Sequence, residues 1–549
     1  MRIFHNLVFG IMIFCFSSKA QESKPVINTA SNPKLIVGIV VDQMRYDYLT
    51  RFYKKYGDGG FKRIVENGFN CKNHHINYIP TTTAPGHASI YTGATPQYHG
   101  IVGNSWYDRT KGQKIYCVLD DKVSPVGTSS AEGKKSPSKL LITTIADQNR
   151  LHSQMRGKTI SISIKDRAAV LSGGHTANAA YWFRGKNHGS WISSSYYMDK
   201  LPSWVIDFNA SNRIDSYLKT WDTLSDIKRY TESGDDDTKF ERGFKGKEKP
   251  IFPYDLQKLK SSNGGYDILR QTPFGNSLTV DFAIASINGE QLGKDEHIDF
   301  LNISFSTTDY IGHNFGVNSK EIEDTYIRLD QDIARLMNVL DTTVGQNSYV
   351  LFLTSDHGAT QVPTYLKSVN VPSGYFKEAS VRLELQEYLY SIYKKKEIIT
   401  QVSNNQVFLN NKLINEDSLD QIQIQREVSK YLLRFESINL VYTREQLMKS
   451  DYNKGIPALI KNGFHQKRSG DVFYTLTPST IAYSKTGSSH GSGFNYDTHI
   501  PLLFYGMNIK TGQTYRRTEV TDISVTLSFL IDVALPNSAS GKVITEVLK

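Results

Sequence analysis

The sequence predicts an α/β fold built on a mostly parallel sheet, and three observations predict it. Short β-branched, apolar runs recur at Leu35 to Val41, Phe300 to Phe305 and Tyr349 to Thr354, with the unbroken hydrophobicity of strands buried on both faces. Each run is followed within a few residues by a carboxylate: Asp42, Asp309 and Asp356. Helical patterns lie between them. The longest follows Asn318-Ser319-Lys320-Glu321 and turns Ile322, Tyr326, Leu329, Ile333, Leu336, Met337 and Leu340 to one face. Open α/β sheets bind ligands at the carboxyl ends of their strands. Three acids delivered there predict a metal site on one sheet edge.

At 549 residues the chain has room for one large α/β domain with insertions or for two to four ordinary domains, and composition does not decide between them. Arg2 and His5 precede an apolar run from Leu7 to Phe16, and Ser18-Lys19-Ala20 offers a cleavage site before Gln21. Residues 1–20 therefore read as a signal peptide, and 21–549 as an exported protein, periplasmic or secreted. The run falls short of the roughly 20 apolar residues that span a bilayer. Cys71 and Cys117 remain after the signal, either as a disulfide or as two separate buried thiols. The formal net charge of +10 drops to about +8 without Arg2 and Lys19, and no dense basic stripe points to nucleic acid.

Along the chain, Phe61 to Asn67 is expected as a helix with Gly68 as its C-cap. Pro80-Thr81-Thr82-Thr83-Ala84-Pro85-Gly86-His87 is a loop leading into a helix through Ala88 to Thr92. Helix is expected over Ser136 to His152, and a strand over Lys158 to Ile164 that ends on Lys165-Asp166-Arg167. Residues 168–272, rich in Gly, Ser, Tyr and Trp, read as a cap insertion, with Asp235, Asp236 and Asp237 solvated. Asn276 to Leu292 returns to helix. Asp309-x-x-x-His313 brings two donors to one side of a loop or helical turn. Residues 362–479 form a second insertion with helices near 380–394 and 422–435. His490 then sits in a glycine-rich loop, Ile500 to Tyr505 is a strand, and Ile523 to Val533 is an apolar helix.

A threonine hydroxyl is a poor nucleophile at neutral pH, and Thr83 is credible as one only if other groups remove its proton and neutralise the charge it attacks. At a helix start it would also meet free backbone N–H groups and the positive end of the dipole. Asp42, Asp309, His313, Asp356, His357 and His490 are six oxygen and nitrogen donors, a set suited to two metal ions.

With these residues in place, the sequence resembles the PafA-like phosphate monoesterases of the alkaline phosphatase superfamily, collinearly from Asp42 to His490. The resemblance implies a three-layer sandwich with helices on both faces of the sheet and an alkaline phosphatase activity on small phosphate monoesters. It implies a phosphothreonine intermediate on Thr83, and phosphoryl contacts from Asn104, Lys165 and Arg167. It further implies one zinc ion on Asp309, His313 and His490 and a second on Asp42, Asp356 and His357. A monomer without a membrane span is expected, and His74, His75 and His99 are taken as structural.

Three other readings compete. A phosphodiesterase or nucleotide pyrophosphatase would share the threonine and the ligands, but a diester puts an uncharged oxygen where Lys165 and Arg167 offer cations. A sulfatase needs Cys or Ser in a C/S-x-P-x-R setting, and here the stretch is Thr83-Ala84-Pro85-Gly86-His87. A non-catalytic phosphate-binding protein has no need of an intact nucleophile with a full ligand set.

Overall fold

The computed structural model describes residues 32–186 and 188–549. The expected signal segment, 1–20, lies outside the described residues. The described residues form a ten-stranded central sheet whose strands, in chain order, are β1 (Leu35–Val41), β2 (Phe69–Cys71), β3 (Pro125–Val126), β4 (Thr159–Ser163), β5 (Ala179–Arg184), β6 (Ser190–Ser194), β7 (Asp299–Phe305), β8 (Tyr349–Thr354), β9 (Leu502–Gly506) and β10 (Gly512–Thr514). Their spatial order is β10-β2-β9-β8-β1-β7-β4-β5-β6-β3. The middle five, β8-β1-β7-β4-β5, are parallel throughout. β9 and β6 close this block with antiparallel pairings on either side.

Alternation along β1 divides the core in two. Leu35, Val37, Ile39 and Val41 enter one hydrophobic cluster, while Ile36 and Val40 enter another on the opposite face. The first cluster is covered by α3 (Phe274–Gly289) and α5 (Lys320–Leu340), the second by α1 (Thr83–Thr92) and α6 (Asp522–Leu530). The result is a helix–sheet–helix sandwich. Gly38 sets the approach of α1, because a Cβ there would lie 2.5 Å from the Tyr91 hydroxyl.

Several expected elements differ in detail. The helix expected over Ser136 to His152 is confined to Ile145–His152, because Thr144 caps it: its side chain accepts from Asp147 N–H, and the Asp147 carboxylate accepts from Thr144 N–H. Gly68 follows the helix Phe61–Asn67 in an extended conformation rather than a left-handed one. The first part of the stretch 168–272 joins the central fold: it supplies most of α2 (Asp166–Gly173) and all of β5 and β6, and Trp182, Trp191 and Trp221 are buried. Within 362–479, a separate four-stranded sheet, in the order Ile399–Ser403, Gln406–Leu409, Val472–Leu476, Ile438–Thr443, has its own hydrophobic cluster. Cys71 and Cys117 are free buried thiols in different clusters.

Candidate active site

Because the middle strands are parallel, the chain leaves each of them at the same edge. β1 runs directly into Asp42. β8 runs through Ser355 into Asp356 and His357, and β4 through Ile164 into Lys165. β7 leads into α4 (Thr307–Phe315), whose 3.6-residue turn brings Asp309 and His313 to one face, with His313 Nε2 3.2 Å from Asp309 Oδ1. His490 arrives from the opposite end of the sequence, its Nε2 3.6 Å from the same oxygen. Asp42, Asp356 and His357 are wholly buried.

Two compact donor groups result, Asp309 with His313 and His490, and Asp42 with Asp309 and His357. Each histidine is oriented by a backbone carbonyl on its Nδ1: Ser488 O for His313 at 2.8 Å, Gly358 O for His357 at 3.0 Å and Thr81 O for His490 at 2.7 Å. That arrangement turns every Nε2 lone pair inward, as metal-binding imidazoles require. Burial keeps His357 neutral down to about pH 3 and holds His490 well below its ordinary value. Asp42 Oδ1, Asp356 Oδ2 and His357 Nε2 are buried without a hydrogen-bond partner.

The protein's own cations do not balance this acid. Lys165 Nζ bridges Asp42 Oδ2 at 2.6 Å and Asp309 Oδ2 at 2.5 Å. Burial alone would lower the lysine's pKa, but Asp309 and Asp42 outweigh it and raise it. Burial would likewise raise Asp309, yet His313 and Lys165 bring it well below the usual range. Asp42 stays raised by burial, and Asp356 is raised well above its ordinary value by burial and then by the charge of Asp42. Asp309 is thus held charged, whereas Asp42 and Asp356 stay raised, each with one buried oxygen that has no hydrogen-bond partner. Unpartnered buried carboxylates beside neutral inward-facing imidazoles fit divalent cations.

α1 begins at Thr83 and so takes in the Ala84-Pro85 segment expected as a loop, and Thr83 is 1% exposed. Its Oγ1 lies 3.4 Å from both Lys165 Nζ and Arg167 Nη2. Asn104 Oδ1 accepts from the N–H of Ala84 at 2.9 Å, which leaves the amide NH2 as its donor. All ten residues singled out in the sequence therefore meet at one edge.

Sequence reasoning missed several supports. Gln43, in a left-handed conformation at φ 64°, donates from Nε2 to Asp309 Oδ1 at 2.7 Å and from its backbone to Asp356 Oδ1 at 3.2 Å. Gly312 makes room for it, since a Cβ there would sit 1.9 Å from Gln43 Oε1. His87 links Thr83 O, 2.9 Å from its Nδ1, to Ser304 Oγ, 2.9 Å from its Nε2. Tyr116 accepts from Arg167 Nη1 at 3.3 Å and donates to Asp166 Oδ1 at 2.5 Å. A lone glycine inside a helix was the one available signal, for Gln43. Tyr116 had none. His74, His75 and His99, taken as structural, bond to Thr518, Asn73 and Ser89 away from the donor groups.

A hydroxyl at a helix start, flanked by cations and by two buried carboxylate–imidazole groups on the carboxyl edge of a parallel sheet, defines a metallohydrolase type of centre. The chain belongs to the type I phosphodiesterase / nucleotide pyrophosphatase family, which matches residues 36–499. It is 42% identical to the alkaline phosphatase PhoV of Synechococcus elongatus over 98% of both chains. It is 43% identical over the whole of both chains to a Myroides odoratus protein named calcium-transporting ATPase. Among the described residues no helix is long and apolar enough to cross a membrane. The crystal structure of the alkaline phosphatase PafA is similar with a TM-score of 0.91 and 41% identity, covering 95% of this chain and 100% of that one.

Proposed function

We propose that this protein is an alkaline phosphatase that hydrolyses small phosphate monoesters to an alcohol and inorganic phosphate, with Thr83 as nucleophile. The observation that carries the reading is the Thr83 hydroxyl, 3.4 Å from both Lys165 Nζ and Arg167 Nη2 and beside both donor groups. Full-length similarity to alkaline phosphatases supports the activity.

Asp309, His313 and His490 would hold one zinc ion, and Asp42, Asp356 and His357 the other. The tighter second group contains Asp309 in place of Asp356. Asp309 is already engaged by Lys165, His313 and Gln43, whereas Asp356 Oδ2 has no hydrogen-bond partner and lies 3.7 Å from His357 Nε2, so Asp356 is the better donor. Bound zinc supplies Lewis acidity, which lowers the hydroxyl's pKa and offsets charge on the leaving oxygen.

The chain's residues account for the rest. Thr83 Oγ, its proton passed to water, attacks phosphorus, the bond to the alcohol oxygen breaks and that oxygen takes up a proton from water. A water molecule then displaces the phosphoryl group from Thr83 as inorganic phosphate and restores the Thr83 hydroxyl. Lys165, Arg167 and the Asn104 amide grip the non-bridging oxygens, and the N-terminus of α1 adds its positive dipole end. A monoester dianion offers these cations one more charged oxygen than a diester, which is the reason to prefer monoesters. The second reading, diester hydrolysis, draws on the family to which the chain belongs. We further infer export by cleavage after Ala20, to the periplasm or outside the cell, and a monomeric enzyme.

The test compares p-nitrophenyl phosphate with its bis-p-nitrophenyl analogue, with zinc content measured on the same sample. Thr83→Ala and a strong chelator should each abolish monoester turnover, and survival of either activity overturns the mechanism. Preference for the diester moves the protein to the second reading. Lys165→Ala with Arg167→Ala should cost the monoester more than the diester, and equal losses refute the selectivity argument.

A further inference from the structure

The loop that carries His490 is held by a carboxylate with no part in the chemistry above. Asp497, 1% exposed, accepts on Oδ2 from Gly491 N–H at 3.1 Å, Ser492 N–H at 2.7 Å and Ser492 Oγ at 2.6 Å. Its backbone carbonyl accepts from Gly358 N–H at 2.8 Å, the residue after His357. Gly358 admits no side chain, because a Cβ would lie 2.2 Å from Tyr496 O. From the other side, the Ser492 carbonyl accepts from Thr81 Oγ1 at 2.9 Å, and the Thr81 carbonyl accepts from His490 Nδ1. The rings of His357 and His490 stack with centroids 3.5 Å apart and planes 13° from parallel.

One residue thus ties together a histidine from each donor group and the segment two residues ahead of Thr83. We propose that Asp497 is a positioning residue that sets the placement of His490 against His357 and Thr83. This rests on the reading of those histidines as metal donors. The loop turns at Gly491, at φ 123°, where a Cβ would meet no heavy atom within 4 Å, so the hydrogen bonds to Asp497 are what the backbone there offers as an anchor. An imidazole on an unanchored loop loses metal affinity, because each binding event must first order it.

Asp497 Oδ1 is itself unpartnered. Asparagine can therefore keep its oxygen on the three donors and put its NH2 on the empty side, whereas alanine removes every acceptor. The experiment measures zinc affinity of the metal-stripped full chain by competition with a chromophoric chelator, melting of the metal-free protein, and kcat and KM. Asp497→Ala should bind zinc about 10- to 100-fold more weakly, in the range of lost outer-shell partners. Its kcat should fall at limiting zinc and recover in excess zinc. Asp497→Asn should retain most of the affinity. Ser492→Ala, which deletes one of the three bonds, should lose a few fold and keeps the test decisive if the alanine variant does not fold. Wild-type zinc affinity in Asp497→Ala, or in Ser492→Ala where only that variant is soluble, overturns the proposal. A lowered metal-free melting temperature with unchanged affinity also overturns it. A wild-type protein that binds no zinc refutes instead the metal-donor reading, on a separate arm.

Discussion

Tyr116 shows how a single side chain can govern charge placement in the site. Its phenol is held well above its ordinary pKa, by burial and then by Asp166, so it stays protonated. It can then donate to Asp166 and accept from Arg167 at once. Tyr116→Phe frees the guanidinium that lies 3.4 Å from Thr83 Oγ1. A hydrogen bond to a charged group is worth about 1.5–3 kcal/mol, so monoester kcat/KM should fall about tenfold or more, with diester turnover less affected. Equal loss on both substrates would assign Tyr116 to stability alone. Gly86 carries a second residue-scale constraint: a Cβ there would lie 2.5 Å from Asp356 Cβ and 2.6 Å from Asp356 O. Gly86→Ala must push α1 off the β8 terminus, and overpacking of this kind costs about 1–3 kcal/mol. A lower urea midpoint together with lower zinc content is expected. An unchanged midpoint would mean that α1 yields freely.

At the scale of elements, the hairpin formed by Ser105–Asp108 and Gln113–Tyr116 starts directly after Asn104 and ends on Tyr116, so it links Asn104 to the residue that bonds Arg167. It also docks on the second insertion. Asn404 Nδ2 donates to Ser105 O at 2.7 Å, Arg109 Nη2 pairs with Asp471 Oδ2 at 2.9 Å, and the Arg468 guanidinium lies 5.0 Å from the Trp106 ring centroid. Asp471 is 1% exposed, so Arg109→Ala leaves a buried acid short of its cation. The urea midpoint should fall, and monoester kcat/KM should fall with it as the hairpin loosens. A normal midpoint with normal kcat/KM would show that hairpin and insertion act independently. The hairpin was not legible in the sequence, because its register is set by pairing with itself and by contact with residues some 300 positions away. The helix ending at His152 illustrates the converse. Its apolar pattern was legible, but its start was set by the local Thr144–Asp147 cap that the pattern obscured.

For the whole molecule, buried neutral histidines make stability depend on pH. Burial pushes His75 and His99 down to about 3 and His465 to about 4, in each case followed by nearby arginine charge. In the unfolded chain histidine titrates near 6.5. The unfolded state therefore binds more protons below that value, and these residues contribute stability that is present above about pH 6.5 and lost as pH falls towards 3–4. Buried carboxyls whose pKa is raised, Asp42 and Asp356 among them, act in the opposite direction, so the test compares the metal-free protein with His99→Gln: the difference between their urea midpoints should shrink as pH falls from about 6.5 to 4. A difference that stays constant would contradict the neutral assignment of His99. The metal-free form is the right one to measure, since bound ions add their own linkage.

While the family resemblance supplied the places expected of Asn104, Lys165 and Arg167, sequence alone determined the α/β class and the strands that deliver Asp42, Asp309 and Asp356. It could do so because buried strands and the acids at their ends are local patterns, and parallel strands that share a direction must deliver their ends together. The tertiary structure decided the rest. It assigned β5 and β6 to the sheet rather than to a cap, left Cys71 and Cys117 apart, and brought in Gln43, His87, Tyr116 and Asp497. Those four act through contacts up to 313 residues apart in sequence, where neither spacing nor periodicity carries a signal and only packing brings the partners together.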